Sequence, residues 1–469
     1  MFPAAPWVEP MHLPFLNRDE ERRRLRALLA GRRGGLAILY GRRRCGKSRL
    51  VQEVLPAGRS VYHVGDDREA PLQRASLAAE IGGKLPGFGA VSYPDWDALL
   101  TRWFREARSG MVLALDEFPA LAASAAELPS LIQKHVDAHR ARRVHLVLSG
   151  SSQRMMRWLA FDRAAPLFGR ADEIFRISPL SGRWIGRALR IRDPIRAVEA
   201  YAVWGGVPRY WEMAAAFRNH DQAVENLVLS PQSVLRDEPA GLLLDDLRDT
   251  TQAASILALV GGGCHRISEI AARLGKPATS LTRPLQRLVE LDLVRRELPF
   301  GSSPRDTKRT SYRIADPFLR FWFRFVEPAR SRIEAGMTRA VALEVASSFG
   351  HHAGSVWEDL VRAAVPRMCV GGAEWAEVGR WWGPGLDGRP MEIDVVGSAS
   401  DGRTILVAEA EWSDRSDPKR LLAEIARKAA NLPLSKGRKI ITALFVKKTP
   451  PRGQDSHLYG PRNVLEALP

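Results

Sequence analysis

One run of residues has the clearest capacity for chemistry: Gly41-Arg42-Arg43-Arg44-Cys45-Gly46-Lys47-Ser48, followed by Arg49. Its spacing is G-x-x-x-x-G-K-[ST]. Glycines at those places let main-chain N–H groups wrap a phosphate, and a helix starting beside the second glycine adds the positive end of its dipole. Lys47 is expected to reach the β- and γ-phosphate oxygens, and the Ser48 hydroxyl to ligate Mg²⁺. A second feature suits hydrolysis of such a triphosphate. Asp116 and Glu117 close the apolar run Val112–Leu115, so that Asp116 can hold Mg²⁺ through water while Glu117 orients or deprotonates the attacking water. A third apolar run ends in Leu148-Ser149-Gly150-Ser151-Ser152. Ser149 reads there either as a sensor of the γ-phosphate or as part of a turn that caps the next helix. Arg170, at the end of Pro166-Leu167-Phe168-Gly169-Arg170, reads as an ordinary surface arginine or as part of the charge clamp, in cis or from a neighbouring subunit.

Such groups work only if rigid elements hold them. Leu36–Tyr40, Val112–Leu115 and Val144–Leu148 are apolar without in/out alternation, the pattern of strands buried on both faces of a parallel sheet. Amphipathic helical stretches, among them Glu20–Leu29 and Glu127–His139, lie between them. The expected fold class is therefore α/β, a P-loop NTPase with a parallel sheet, over residues 13–185. The whole chain has 469 residues, 45% of them hydrophobic and 26% charged, which excludes a mostly disordered polypeptide. Its formal net charge of +17 favours a polyanionic partner such as nucleic acid or an anionic membrane surface. Cys45, Cys264 and Cys369 lack metal-ligand spacing, and neither a signal peptide nor an apolar run long enough to span a membrane is evident. A cytoplasmic, soluble protein with no membrane partner is expected.

These motifs, with Phe15-Leu16-Asn17-Arg18-Asp19-Glu20 and Trp204-Gly205-Gly206-Val207-Pro208, resemble the archaeal-type ATPase family of P-loop proteins in the AAA+/STAND neighbourhood. The resemblance implies that the nucleotide is ATP and that Asn17 and Arg18 sit near its adenine side. It also implies a helical lid over residues 186–247, with the Gly205-Gly206 turn against the nucleotide.

Residues 248–315 resemble a winged helix. Ile267–Leu274 and Thr279–Leu291 read as its helices, and Leu293–Glu297 and Thr310–Ile314 flank a basic loop. In the functional reading Thr279, Ser280, Thr282, Arg283 and Arg287 face a DNA groove, while Arg305, Lys308 and Arg309 touch phosphates. The competing reading is a protein-interaction module. After linker helices over 316–345, residues 346–469 look like the domain that accompanies these ATPases, similar to the PD-(D/E)xK nuclease fold. By that match Glu358, Asp394 and Glu409 would converge on a second Mg²⁺. The position where that motif has lysine is Glu411, which favours a degenerate domain unless Lys419 or Lys428 substitutes. The functional expectation is an ATP-binding, ATP-hydrolysing switch or motor acting on nucleic acid or on a protein client, as a possible homo-oligomer. A metal-dependent nuclease regulated by ATP and a non-hydrolysing, ATP-gated DNA-binding regulator stand as alternatives.

Overall fold

Five short strands build the first sheet: β1 (Leu36–Tyr40), β2 (Ser60–Val64), β3 (Met111–Asp116), β4 (Val144–Gly150) and β5 (Glu173–Arg176). In the computed structural model, which describes residues 13–247, 249–306, 309–449 and 457–469, they run in the order β2-β3-β4-β1-β5, all parallel. β1, β3 and β4 are buried along their whole length, as continuous apolar runs require. Because the strands are parallel, the residues after β1, at the end of β3 and at the end of β4 all emerge at one edge. The pairings Tyr40↔Gly150 and Leu115↔Leu148 set that edge.

The chain divides into two units. Leu16–Pro179 with Leu244–Asp246 form one; Leu180–Leu243 and Leu247–Pro469, with the residues up to Phe15, form the other. The helices expected to make a separate lid therefore share a unit with the C-terminal half. Gly206 lies so close to the Leu180 carbonyl that a Cβ would approach it to 2.0 Å, and Gly205, at φ +57°, abuts Asp316. This glycine pair is used for packing within the second unit. The aromatic run at 318–325 packs there too: Phe318 and Phe321 are fully buried, against Tyr210 and His352 respectively.

Within the second unit, the helices Thr250–Gly261, Ile267–Leu274 and Ala278–Glu290 precede an antiparallel pair, β6 (Val294–Glu297) and β7 (Ser311–Ile314). The expected boundary at 345/346 falls inside one unbroken helix, Thr338–Ala364. A mixed sheet follows: β8 (Trp375–Pro384), β9 (Pro390–Ala399), β10 (Thr404–Glu411), β11 (Lys439–Val446) and β12 (Leu458–Tyr459), ordered β12-β11-β10-β9-β8. Trp357 and Leu360 of the long helix join the core that includes Ala408 and Phe445, and Ile425 and Ala429 of helix Pro418–Asn431 join the one that includes Val407 and Leu444.

Candidate functional site

The phosphate loop leaves β1 through Gly41, at φ +152°, whose Cα lies against the backbone of Ile177: a Cβ there would meet the Ile177 carbonyl at 2.2 Å. Only glycine permits that approach. Gly46 adopts φ +89° and starts the helix Lys47–Val54, and a Cβ built on it meets nothing within 4 Å, so the loop is concave at the helix N-terminus. The buried Lys47 ammonium donates to the carbonyls of Gly41 (2.9 Å) and Arg42 (3.1 Å), which aims it across the loop. Arg42, Arg43, Arg44, Cys45 and Arg49 complete this run, with Arg44 at φ +65° and Cys45 buried. Arg18 donates to the Ser178 carbonyl and to Glu21, and Asn17 and Arg18 both have positive φ. Arg18 thus braces the start of helix Asp19–Ala30 against the segment that also supports Gly41.

Across the edge, Asp116 is buried and fully engaged. Ser149 Oγ donates to its Oδ1, and Tyr62 on β2 donates to its Oδ2 at 2.5 Å. The Tyr62 hydroxyl also has Ser48 and Gln52 as side-chain partners. Burial, and then Asp116, push the phenol above its ordinary range, so it remains a donor. Tyr62 and Gln52 were not expected from sequence. Ser48, Asp116, Ser149 and Tyr62 form an oxygen-only cluster, the donor chemistry that Mg²⁺ takes. Glu117 follows at φ +45°, an uncommon backbone for a side-chain-bearing residue, and its Oε2 accepts from the N–H and the hydroxyl of Ser151 at 3.1 and 2.9 Å.

Arg170 departs from the in-cis expectation. Its Nε pairs with Asp137 at 2.9 Å, and its carbonyl accepts from Arg140, which also binds Asp172. Asp172 in turn accepts from Leu36 N at the start of β1. Arg170 therefore lies by the start of β1, at the edge of the sheet opposite the phosphate loop.

The sheet order and the loop geometry match one recognised architecture. The first unit has the fold of a P-loop NTPase. The Walker-type ATPase PABY2304 of Pyrococcus abyssi superposes with a TM-score of 0.50 at 20% identity, covering 66% of this chain and 96% of that one. The ORC2 protein of Aeropyrum pernix, solved with ADPNP and ADP, gives a TM-score of 0.43 at 16% identity over 73% of this chain and 98% of its own. An uncharacterized protein of Methanocaldococcus jannaschii is 26% identical over 423 residues, 88% of this chain and 92% of that protein. Residues 322–422 match the family DUF234, described as archaea bacterial proteins of unknown function. Among the described residues no helix is long and apolar enough to cross a membrane.

The second set of carboxylates does come together. Asp394 shares a side-chain hydrogen bond with Glu409 and acts electrostatically on Glu358. Lys428, from helix Pro418–Asn431, donates to Glu409 at 2.7 Å, so of the two lysines considered it is Lys428 that reaches the site. Burial and then Asp394 raise Glu409 and Glu358, the latter to about 7, and raise Glu411 as well. Yet among the described residues no three His, Cys, Asp or Glu side chains are arranged to hold a metal ion. The expected triad is corrected to that extent, for a physical reason: its oxygens face other partners. Asp394 Oδ2 accepts from Ala410 N at 3.1 Å, Glu409 turns to Lys428, and Glu358 lies 3.6 Å from Arg362 and 4.0 Å from Arg313.

Of the expected DNA contacts, Thr279, Ser280, Thr282 and Arg283 are exposed on helix Ala278–Glu290, while Arg287 is half-buried and pairs with Glu290 at 3.2 Å. Arg305 and Arg309 are exposed; Lys308 lies outside the described residues. The β6–β7 connection is anchored at its root, where Phe300 N donates to the Arg380 carbonyl at 2.8 Å and the ring packs over Gly379.

Proposed function

We propose that this chain binds and hydrolyses ATP with Mg²⁺ and uses the nucleotide state as a switch on nucleic acid. The observation that carries the reading is the shared edge of the first sheet, where the Gly41–Ser48 loop and Lys47 stand beside Asp116, Ser149 and Glu117. The loop amides and Lys47 would bind the phosphates, Ser48 and Asp116 would hold the cation, and Glu117 would take the proton of the attacking water. Magnesium supplies neutralisation of the charge on the β- and γ-oxygens when bound.

A line of contacts supports the switch. Glu117 is tied to Ser151, and the next residue, Ser152, donates to Asp246 at 3.1 Å; Asp246 also accepts from Arg154 N at 3.0 Å. Asp246 ends the helix Glu238–Asp246, whose earlier turns belong to the second unit. Nucleic acid as the partner is supported by the net charge of +17 and by the exposed face of helix Ala278–Glu290. Arg170, at the opposite edge, is suited to a γ-phosphate of a second copy.

Two variants test the nucleotide reading. Lys47→Ala is expected to abolish ATP binding in calorimetry, whereas Glu117→Gln keeps binding and stops turnover. Normal hydrolysis by Lys47→Ala would sink the assignment. The proximity of Asp394, Glu409 and Glu358 is the observation behind a second reading, a metal-dependent nuclease, against which Glu411 and the engagement of those oxygens by other partners count. Plasmid nicking by wild type and not by Asp394→Ala would support it; absence of nicking removes it.

A further inference from the structure

A cleft of 850 Å³ opens in the second unit where the β6–β7 module meets the β8–β9 edge of the mixed sheet. Its basic lining is Arg266, Arg309, Arg313 and Arg380, and its aromatic wall is Trp382. None of these residues except Arg309 belongs to the DNA contacts expected from the sequence, and the recognition-type helix Ala278–Glu290 does not line it.

Four arginines outnumber the carboxylates of the lining. Of the two carboxylates in the lining, Glu392 pairs with Arg380, and Glu269 accepts from the N–H groups of His265 (3.0 Å) and Arg266 (3.1 Å). Arg266 and Arg309 are exposed, Arg309 pairing with Asp306 at 3.1 Å, while Arg313 lies 3.6 Å and Arg380 4.0 Å from Glu297. The Arg380 guanidinium sits 5.7 Å from the centre of the Trp382 ring, which orders both groups on one wall. An arginine-rich lining beside an indole is the pairing that binds phosphodiesters and stacks a base. Four arginines would serve a carboxylate-rich peptide as well, but such a peptide makes no use of the ring. In a duplex the base faces are already stacked, so Trp382 can take only an unpaired base. Arg313 also lies 4.0 Å from Glu358, so the cleft borders the Asp394–Glu409 cluster.

We infer that this cleft binds single-stranded nucleic acid, with phosphates on Arg266, Arg309, Arg313 and Arg380 and one base stacked on Trp382. The inference rests on the nucleic-acid part of the proposed function and adds a strand-specific site to it.

Fluorescence anisotropy of the full chain tests it, with a labelled oligothymidylate and a labelled duplex as the two probes. The wild type is expected to bind the single strand, with affinity falling as salt rises. Trp382→Ala should weaken that binding by about ten- to a hundredfold, the range for losing one stacked base, while Trp382→Phe largely restores it. The surface double variant Arg266→Glu/Arg309→Glu should weaken it too and flatten its salt dependence, which covers the case in which Trp382→Ala does not fold. ATP binding should change little in all three, and duplex binding should change little in the two Trp382 variants. Single-strand affinity left unchanged by Trp382→Ala (with an unaltered unfolding midpoint) and by the double variant overturns the cleft. Wild type that binds duplex and not single strand also overturns it, and leaves the nucleic-acid reading intact; wild type that binds neither ends both.

Discussion

Asp116 shows how much one carboxylate can be asked to do. Its two oxygens are taken by Ser149 and Tyr62, and the tyrosine hydroxyl reaches on to Ser48 on the phosphate-loop helix. On the proposed function Tyr62 is thus a positioning residue for the cation. Removing the hydroxyl in Tyr62→Phe deletes a hydrogen bond to a charged group, with a cost of about 1.5–3 kcal/mol. The expected result is a Mg²⁺ requirement for ATP turnover shifted upward by at least about tenfold, in a protein that still folds. Titration of turnover against Mg²⁺ checks this, and superimposable curves for variant and wild type would remove Tyr62 from the site. The same reasoning explains why Tyr62 escaped detection in the sequence: it stands in a different strand, 54 residues before its partner, inside an ordinary-looking run Ser60–Val64.

At the scale of elements, the long helix Thr338–Ala364 organises the second unit. Its Asp359 is largely buried, which works against ionisation, but Arg295 from β6, Arg320 and Arg362 surround it and hold the carboxyl well below its usual range. Arg320 donates at 2.7 Å. Asp359→Asn would remove the carboxylate that three partly buried arginines share, so unfolding in urea should show a loss of about 3 kcal/mol. A variant as stable as wild type would mean the arginines find other partners. Two turns earlier, His352 Nε2 lies 2.8 Å from the Ala202 carbonyl and must carry a proton there, and burial pushes the imidazole down to about 3. His220, beside Phe349, is pushed down to about 4 by the same cause. Both histidines have depressed folded values, so the native state binds fewer protons than the unfolded chain once pH drops below about 6.5. Their contribution is complete above that value and is lost as pH falls toward 4, by about 1.4 kcal/mol per pH unit for each. Urea midpoints between pH 7 and 5 should fall accordingly, and less steeply in His352→Gln. A slope that His352→Gln leaves unchanged would assign the acid lability to other groups.

For the whole molecule, the excess of 70 basic over 53 acidic residues matters through its partner. If nucleic acid is what the switch acts on, ATP turnover should rise with added DNA, and the stimulation should fade linearly in log–log form as salt increases. Turnover indifferent to DNA at every salt concentration would point to a protein client instead. Arg170 belongs at this scale as well, because its own subunit holds it at the edge of the sheet remote from the phosphates.

Local spacing determined a good deal. The loop Gly41–Ser48, the doublet Asp116-Glu117 and the apolar runs of β1, β3 and β4 depend on neighbours a few residues away, so a parallel α/β sheet with a phosphate loop at its edge could be read directly from the chain. Contacts between residues far apart in sequence were left to tertiary structure. Packing carried Lys428 to Glu409, set Tyr62 on Asp116, placed Arg170 at the remote edge and joined the expected lid to the C-terminal half. The basic cleft beside Trp382 has the same origin, since its walls come from residues 263–313 and 380–392, which no periodicity in the sequence relates to each other. Spacing along the chain specifies local geometry; the free energy of burying apolar surface decides which distant polar groups then meet.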